Sequence, residues 1–207
     1  MKAYAFVDAS NLFYGGVKSL GWKIDYRKLA TYLKRKYQVS KIFYFGGIEL
    51  HGFEYNYINN YTVPIRELKT YLERLLKKKK VNKASKELLE RHLQRVHFYQ
   101  KLEDFGYKLY IKPVKLYREI NGSVKKKANC DVEMTYYLMK EKDKLSRMVI
   151  LSGDGDFLSV LKYLKESGKE IIILARGSRT AKEIKQFAGG NFRDFVRLQK
   201  DIEFTQE

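Results

Sequence analysis

The chain has 207 residues, with 42 Lys and Arg against 24 Asp and Glu, a formal charge of +18, and 44% apolar residues. That is enough apolar material for a sizeable core and excludes intrinsic disorder; a single cysteine excludes an internal disulfide and a cysteine-based zinc cage. The three histidines, at 51, 92 and 97, show no strong zinc spacing, and no run approaches the ~18 apolar residues of a membrane span.

Residues 3–7, AYAFV, form an apolar run ending at Asp8 and read as a buried strand, with Ser10 or Asn11 placed to cap a helix that breaks near Gly21. The run is too short for the apolar segment of a signal peptide, so a reducing cytoplasm is the expected setting. Leu29, Tyr32 and Leu33 recur at helical spacing over 26–37, and KIFYFGGI at 41–48 reads as a second buried strand. Residues 49–63 are rich in Tyr and Asn and read as a loop. Pro64 opens a helix carrying Leu68, Leu72 and Leu75, and a second helix from Ser85 ends near Gly106. This pair is expected either as a basic hairpin or as one long helix plus a crossover. GYKLYIKPV at 106–114 is a third strand, and 118–127 a polar loop turning at Asn121-Gly122. Asn129 is placed to cap a helix to about Lys142. Strand RMVILSG at 147–153, an amphipathic helix closed by Gly168, and strand EIIILA at 170–175 follow; 179–187 reads as helix and 192–198 as a short last strand.

Continuous apolar strands alternating with amphipathic helices indicate an α/β fold: an open, doubly wound parallel sheet covered on both faces. Residues 1–200 are expected to form one domain, with a basic helical elaboration at about 50–105 and a C-terminal tail at 201–207.

Two strands end in aspartate, Asp8 and Asp154. Sites in open α/β sheets form outside the carboxyl ends of strands, at the topological switch point. Were those strands neighbours, the carboxylates would lie ~5 Å apart and would repel, favouring a shared proton or a cation. Oxygen donors suit Mg²⁺ or Mn²⁺. Asp156 lies two residues on, where Gly153 and Gly155 permit a sharp turn, and Asp131 falls in a helix first turn. Simpler roles stand beside these: Asp8, Asn11 and Asp156 as helix caps, and Asp131 as a helix-dipole acid.

Asp8-Ala9-Ser10-Asn11 after a strand, Asp131 after a lysine run, and Ser152-Gly153-Asp154-Gly155-Asp156-Phe157 after another strand resemble the NYN family of PIN-like nucleases. The resemblance covers residues 3 to about 198 apart from much of 50–105. Ala9 stands where the family usually has Gly, and Tyr137 where it often has a second Asp. The resemblance implies strand order 3-2-1-4-5 and metal-dependent hydrolysis of RNA phosphodiesters. It also implies Asp8, Asp131 and Asp154 as holders of Mg²⁺ or Mn²⁺, Asp156 as a further ligand or water-orienting group, and Asn11 as a positioning amide.

Residues 61–127 carry 19 basic and seven acidic side chains, a surplus of 12 out of the total of 18. Such a field favours a polyanion. Lys115, Arg118, Lys125, Lys126 and Lys127 precede Asp131 and are candidate phosphate clamps; Arg176, Ser178 and Arg179 follow the fifth strand on the same face. The six lysines of 77–86 suit either a solvated helix end or a substrate arm. Tyr14, Tyr55, Tyr57 and Tyr61 are candidate base-stacking surfaces, whereas Phe6, Phe43 and Phe45 belong in the core. Cys130 reads as a small buried residue. RNA is the expected partner and a membrane is not; a homo-oligomer is compatible with the sequence. The competing function is an RNA-binding protein with a degenerate nuclease site, which Tyr137 supports. A haloacid-dehalogenase-type phosphatase lacks its DxD pair because position 10 is Ser, and neither phosphate-binding Gly motif occurs.

Overall fold

The computed structural model describes residues 2–13, 19–78, 82–119 and 122–205. Six parallel strands form one sheet: β1 (Ala3–Asp8), β2 (Val39–Ile48), β3 (Tyr107–Pro113), β6 (Arg147–Leu151), β7 (Glu170–Ala175) and β8 (Phe192–Asp194), in the spatial order β3-β2-β1-β6-β7-β8. The first five sheet strands therefore follow the expected 3-2-1-4-5 order; the last strand, expected over 192–198, spans only Phe192–Asp194 before a 3-10 turn at Phe195–Leu198, and adds a sixth at the edge.

The alternation of side chains across the pleat divides the core in two. Ala3, Ala5 and Val7 of β1 face one layer with Val149, Leu151, Ile172 and Leu174, whereas Tyr4 and Phe6 face the other with Met148, Ile150, Ile171 and Ile173. The first layer is covered by α2 (Tyr26–Tyr37), α3 (Ile65–Leu76), α4 (Lys83–Asp104) and the C-terminal α8 (Gln199–Ile202), through residues such as Leu33, Leu68, Val96 and Ile202. The second is covered by α5 (Cys130–Glu141), α6 (Leu158–Glu166) and α7 (Lys182–Ala188), through Leu138, Leu161 and Ile184. Each crossover thus returns its helix to the sheet, as parallel pairing demands.

Local chemistry explains the boundaries. Asp25 caps α2, its Oδ1 accepting from the Lys28 N–H at 2.9 Å, and Gln38 ends the helix at φ 56°. The 50–105 segment is the β2-to-β3 crossover: two separate helices whose apolar stripes cover β2 and β3. Asn82 caps α4 through the Ser85 N–H at 2.8 Å. Residues 79–81, the middle of the lysine stretch, lie outside the described residues.

One expectation is corrected. The polar loop at 118–127 is an antiparallel hairpin, β4 (Lys115–Arg118) with β5 (Val124–Lys127), turning at Gly122 with φ +81°. All four β5 residues are exposed, so backbone pairing and turn chemistry, with no buried face, hold these strands. No helix among the described residues is long and apolar enough to cross a membrane.

Candidate active site

Strands β1 and β6 are neighbours, with Val7 opposite Leu151, so both aspartate-ending strands deliver their carboxyl ends to the same edge. Asp8 is only 3% exposed. Its Oδ1 accepts from the Ser10 N–H (3.0 Å), the Ser10 hydroxyl (2.7 Å) and the Asn11 N–H (3.2 Å), while Oδ2 accepts from the Ser152 hydroxyl at 3.0 Å. Asp8 is therefore the N-cap of the short helix α1 (Ala9–Leu12) as well as a buried carboxylate aimed along the edge. The cap is Asp8 itself, rather than Ser10 or Asn11.

Ser152 is the residue sequence reasoning left without a role. Its hydroxyl donates to Asp8 and accepts from the Asp154 N–H at 3.2 Å, linking the two strand ends. Asn11 completes the frame: its Oδ1 accepts from the Gly153 N–H at 3.1 Å. Asp154 Oδ1 accepts from the Asp156 N–H at 3.0 Å and caps the 3-10 turn Gly155–Phe157, so the capping expected of Asp156 falls to Asp154. The Asp156 side chain is exposed.

The glycines of this turn serve close approach. Neither Gly153 nor Gly155 has a positive φ; a Cβ on Gly153 would meet the Thr180 backbone at 2.9 Å and its side chain, and one on Gly155 would run into Glu183. The sharp-turn reason expected for them is thereby corrected. The Ala181 N–H donates to the Gly153 carbonyl at 2.9 Å, seating the turn against the segment after β7.

Asp131 comes from the first turn of α5; its N-cap position is Asn129, which makes no side-chain capping bond. Partial burial and then the charges of Asp8 and Asp154, with a smaller share from Asp156, raise the Asp131 carboxyl above the ordinary range, against the pull of Lys127. Asp131 thus feels three other carboxylates, yet among the described residues none of the four forms an ion pair. In a chain of +18 that is a concentration of negative charge with no contacting cation among the described residues. Among the described residues no three of these carboxylates come within 4.8 Å of one another. Cys130 lies against the same cluster. Burial, then Asp8 and Asp131, push its thiol up to about 12, which keeps it protonated and inert.

An open cleft of about 400 Å³ runs beside Asp131, walled by Ser10, Phe13, Gly46, Arg95, Lys126 and Lys127. A roomier groove of about 770 Å³ lies between α2 and the C-terminal segment, but its Arg35 and Asp201 are paired with each other at 2.9 Å and it carries none of this chemistry.

The expected phosphate clamps divide. Lys115, Lys125 and Lys127 share one exposed face of the hairpin by register; Lys125 pairs with Glu119 at 3.2 Å. Lys126 points to the other face and binds Glu49 at 2.8 Å. The Arg118 side chain lies outside what is described, as does Tyr14. Arg176 is turned inward, to Asp194 at 3.1 Å and Ser19 at 3.2 Å. Ser178 and Arg179 are exposed on the turn after β7. Tyr57 and Tyr61 are exposed, at 61% and 68%, while half-buried Tyr55 packs edge-on to Tyr57. Tyr137 supplies no acidic group and no polar edge to the cleft: it is buried in an aromatic stack with Tyr110, Phe43 and Phe45.

The sequence model of the NYN domain family matches residues 82–195. The fold is shared with a crystal structure of a protein of unknown function from Vibrio parahaemolyticus, at TM-score 0.63 and 18% identity, over 98% of this chain and 96% of that one. No curated protein matches the chain in sequence.

Proposed function

This chain belongs to the NYN domain family of PIN-like nucleases, and we propose that it hydrolyses RNA phosphodiester bonds with Mg²⁺ or Mn²⁺ at the aspartate cluster. The observation that carries the reading is the clustered charge: Asp8 and Asp154 stand at or just past the carboxyl ends of neighbouring strands, they and Asp156 act on Asp131 of α5, and none of the four has an ion-pair partner among the described residues, in a strongly basic protein. Asp8, Asp131 and Asp154 would hold the ion. Once bound, it would lower the pKa of a coordinated water and offset charge on the phosphate.

The chain's own groups set the rest. Ser10, Asn11 and Ser152 fix both oxygens of Asp8 by hydrogen bonds, so its lone pairs are pre-aimed and cost little to order on binding. The Asn11–Gly153 bond holds the Asp154 turn against α1. Exposed Asp156 is free to accept a proton or a hydrogen bond from a water at the rim. Lys127 and the hairpin lysines attract flanking phosphates from a second side.

The test is cleavage of labelled single-stranded and hairpin RNA by purified protein. Cutting is expected with Mn²⁺ or Mg²⁺, none with EDTA, and a loss of ~100-fold or more in Asp154→Asn. Equal cutting by that variant overturns the proposal. The second reading, an RNA-binding protein with a degenerate site, draws on the burial of Tyr137 away from the cleft; it predicts tight, salt-sensitive RNA binding without metal-dependent turnover.

A further inference from the structure

Beyond the aspartate cluster the fold assembles a second set of metal-ligand side chains. Glu49 stands just past β2, His51 two residues later, and His92 on α4. One ligand atom from each lies within 4.8 Å of the others, and all three residues are half-buried. The two imidazoles meet edge to face at 4.0 Å between centroids. His51 Nε2 is buried with no hydrogen-bond partner, a state that polar groups rarely keep unless something satisfies it. The His51 backbone is set for the approach: it turns at φ +50°, Gly52 follows at φ +83°, and the Tyr71 hydroxyl donates to the His51 carbonyl at 3.1 Å.

We propose that Glu49, His51 and His92 bind a divalent transition-metal ion, Zn²⁺ by the chemistry of the donors, at a site distinct from the aspartate cluster. Two imidazole nitrogens and one carboxylate oxygen are the three-ligand set of open zinc sites, whose fourth position takes water. Bonds of ~2.0–2.1 Å place tetrahedral ligand atoms ~3.3 Å apart, so the side chains need to draw in by ~1.5 Å or less. Burial, before any charge effect, holds both imidazoles below their ordinary pKa, so they meet the ion neutral. Burial works to raise the Glu49 carboxyl, but the hydrogen bond and charge of Lys126 outweigh it and keep it ionised. Arg91 and Arg95 line the same pocket, and their charge moderates the affinity.

The site ties the turn after β2 to α4, and its pocket shares Gly47, Arg95 and Val114 with the cleft beside Asp131. An ion taking Glu49 competes with Lys126 for that carboxylate, which turns a lysine of the cleft wall free to meet phosphate.

The experiment is a Co²⁺ titration of the full chain, followed by its visible d–d absorption, with Zn²⁺ as competitor. One tetrahedral-type Co²⁺ per chain is expected, displaced by Zn²⁺, bound at least tenfold more weakly by His92→Gln and by Glu49→Gln, and unchanged in Asp154→Asn. Circular dichroism of each variant in EDTA checks its fold. Zn²⁺ is also expected to raise the melting temperature of the wild type and not of His92→Gln. Absence of a tetrahedral spectrum, a spectrum that both folded variants retain, or one that Asp154→Asn abolishes overturns the site. These outcomes are independent of RNA cleavage, so the zinc site and the nuclease reading stand or fall separately.

Discussion

Asp131 carries the electrostatic load of the aspartate cluster. Burial and then the charges of Asp8 and Asp154 raise its folded-state pKa above that of the unfolded chain. By linkage, its contribution to stability is fully present below the ordinary carboxyl range and is lost as pH rises through the raised folded pKa. Above that raised pKa the ionised carboxylate strains the metal-free protein. Asp131→Asn is expected to melt at a higher temperature than the wild type at pH 7 in EDTA, with the difference vanishing in acid. Mg²⁺ or Mn²⁺ is expected to raise the wild-type midpoint more than the variant's; differential scanning fluorimetry across pH measures both. The aspartates were legible in the sequence because each follows a recognisable strand or opens a recognisable helix. Ser152 stood in the motif with Asp154 but without a role of its own, because only the neighbouring strand places its hydroxyl 3.0 Å from Asp8.

Among the elements, the helices and sheet strands whose apolar faces recur at period 3.6, or run unbroken, were readable nearly to the residue: α2 falls on 26–37 and β7 on 170–175, as expected. The hairpin β4–β5 was not, since its Lys-rich strands bury no face and only its Asn-Gly turn was a signal. That element also sets Lys115, Lys125 and Lys127 on one exposed face, the charge proposed to meet phosphate. The double substitution Lys125→Glu and Lys127→Glu is expected to weaken RNA binding at ~100 mM salt. It should also flatten the log–log salt dependence by ~0.7 for each single-strand phosphate that the hairpin no longer neutralises, which filter binding over a salt series reads. A slope and affinity equal to the wild type's would take the hairpin out of the interface. His51 and His92 belong to two different elements, a turn and a helix, 41 positions apart in the chain; no motif spacing could pair them.

The whole molecule rests on the central sheet, whose middle strands β1 and β6 are buried on both faces. Ile150 is fully buried between β1 and the α5–α6 layer. Ile150→Ala is expected to lower unfolding free energy by about 2–5 kcal/mol in a urea titration, since the close-packed layer around it collapses only partly. A loss under about 1 kcal/mol would mean that this layer is far looser than its packing. The linear chain by itself determined the alternation of strand and helix, the two apolar layers and the basic surplus of the middle third, because hydrophobic period and charge are local properties that burial and solvation read directly. Only the tertiary structure decided which carboxylates share an edge, that Tyr137 turns into an aromatic stack, and that Glu49, His51 and His92 meet. Those are distances between residues far apart in the chain, set by how the crossovers return each strand to the sheet.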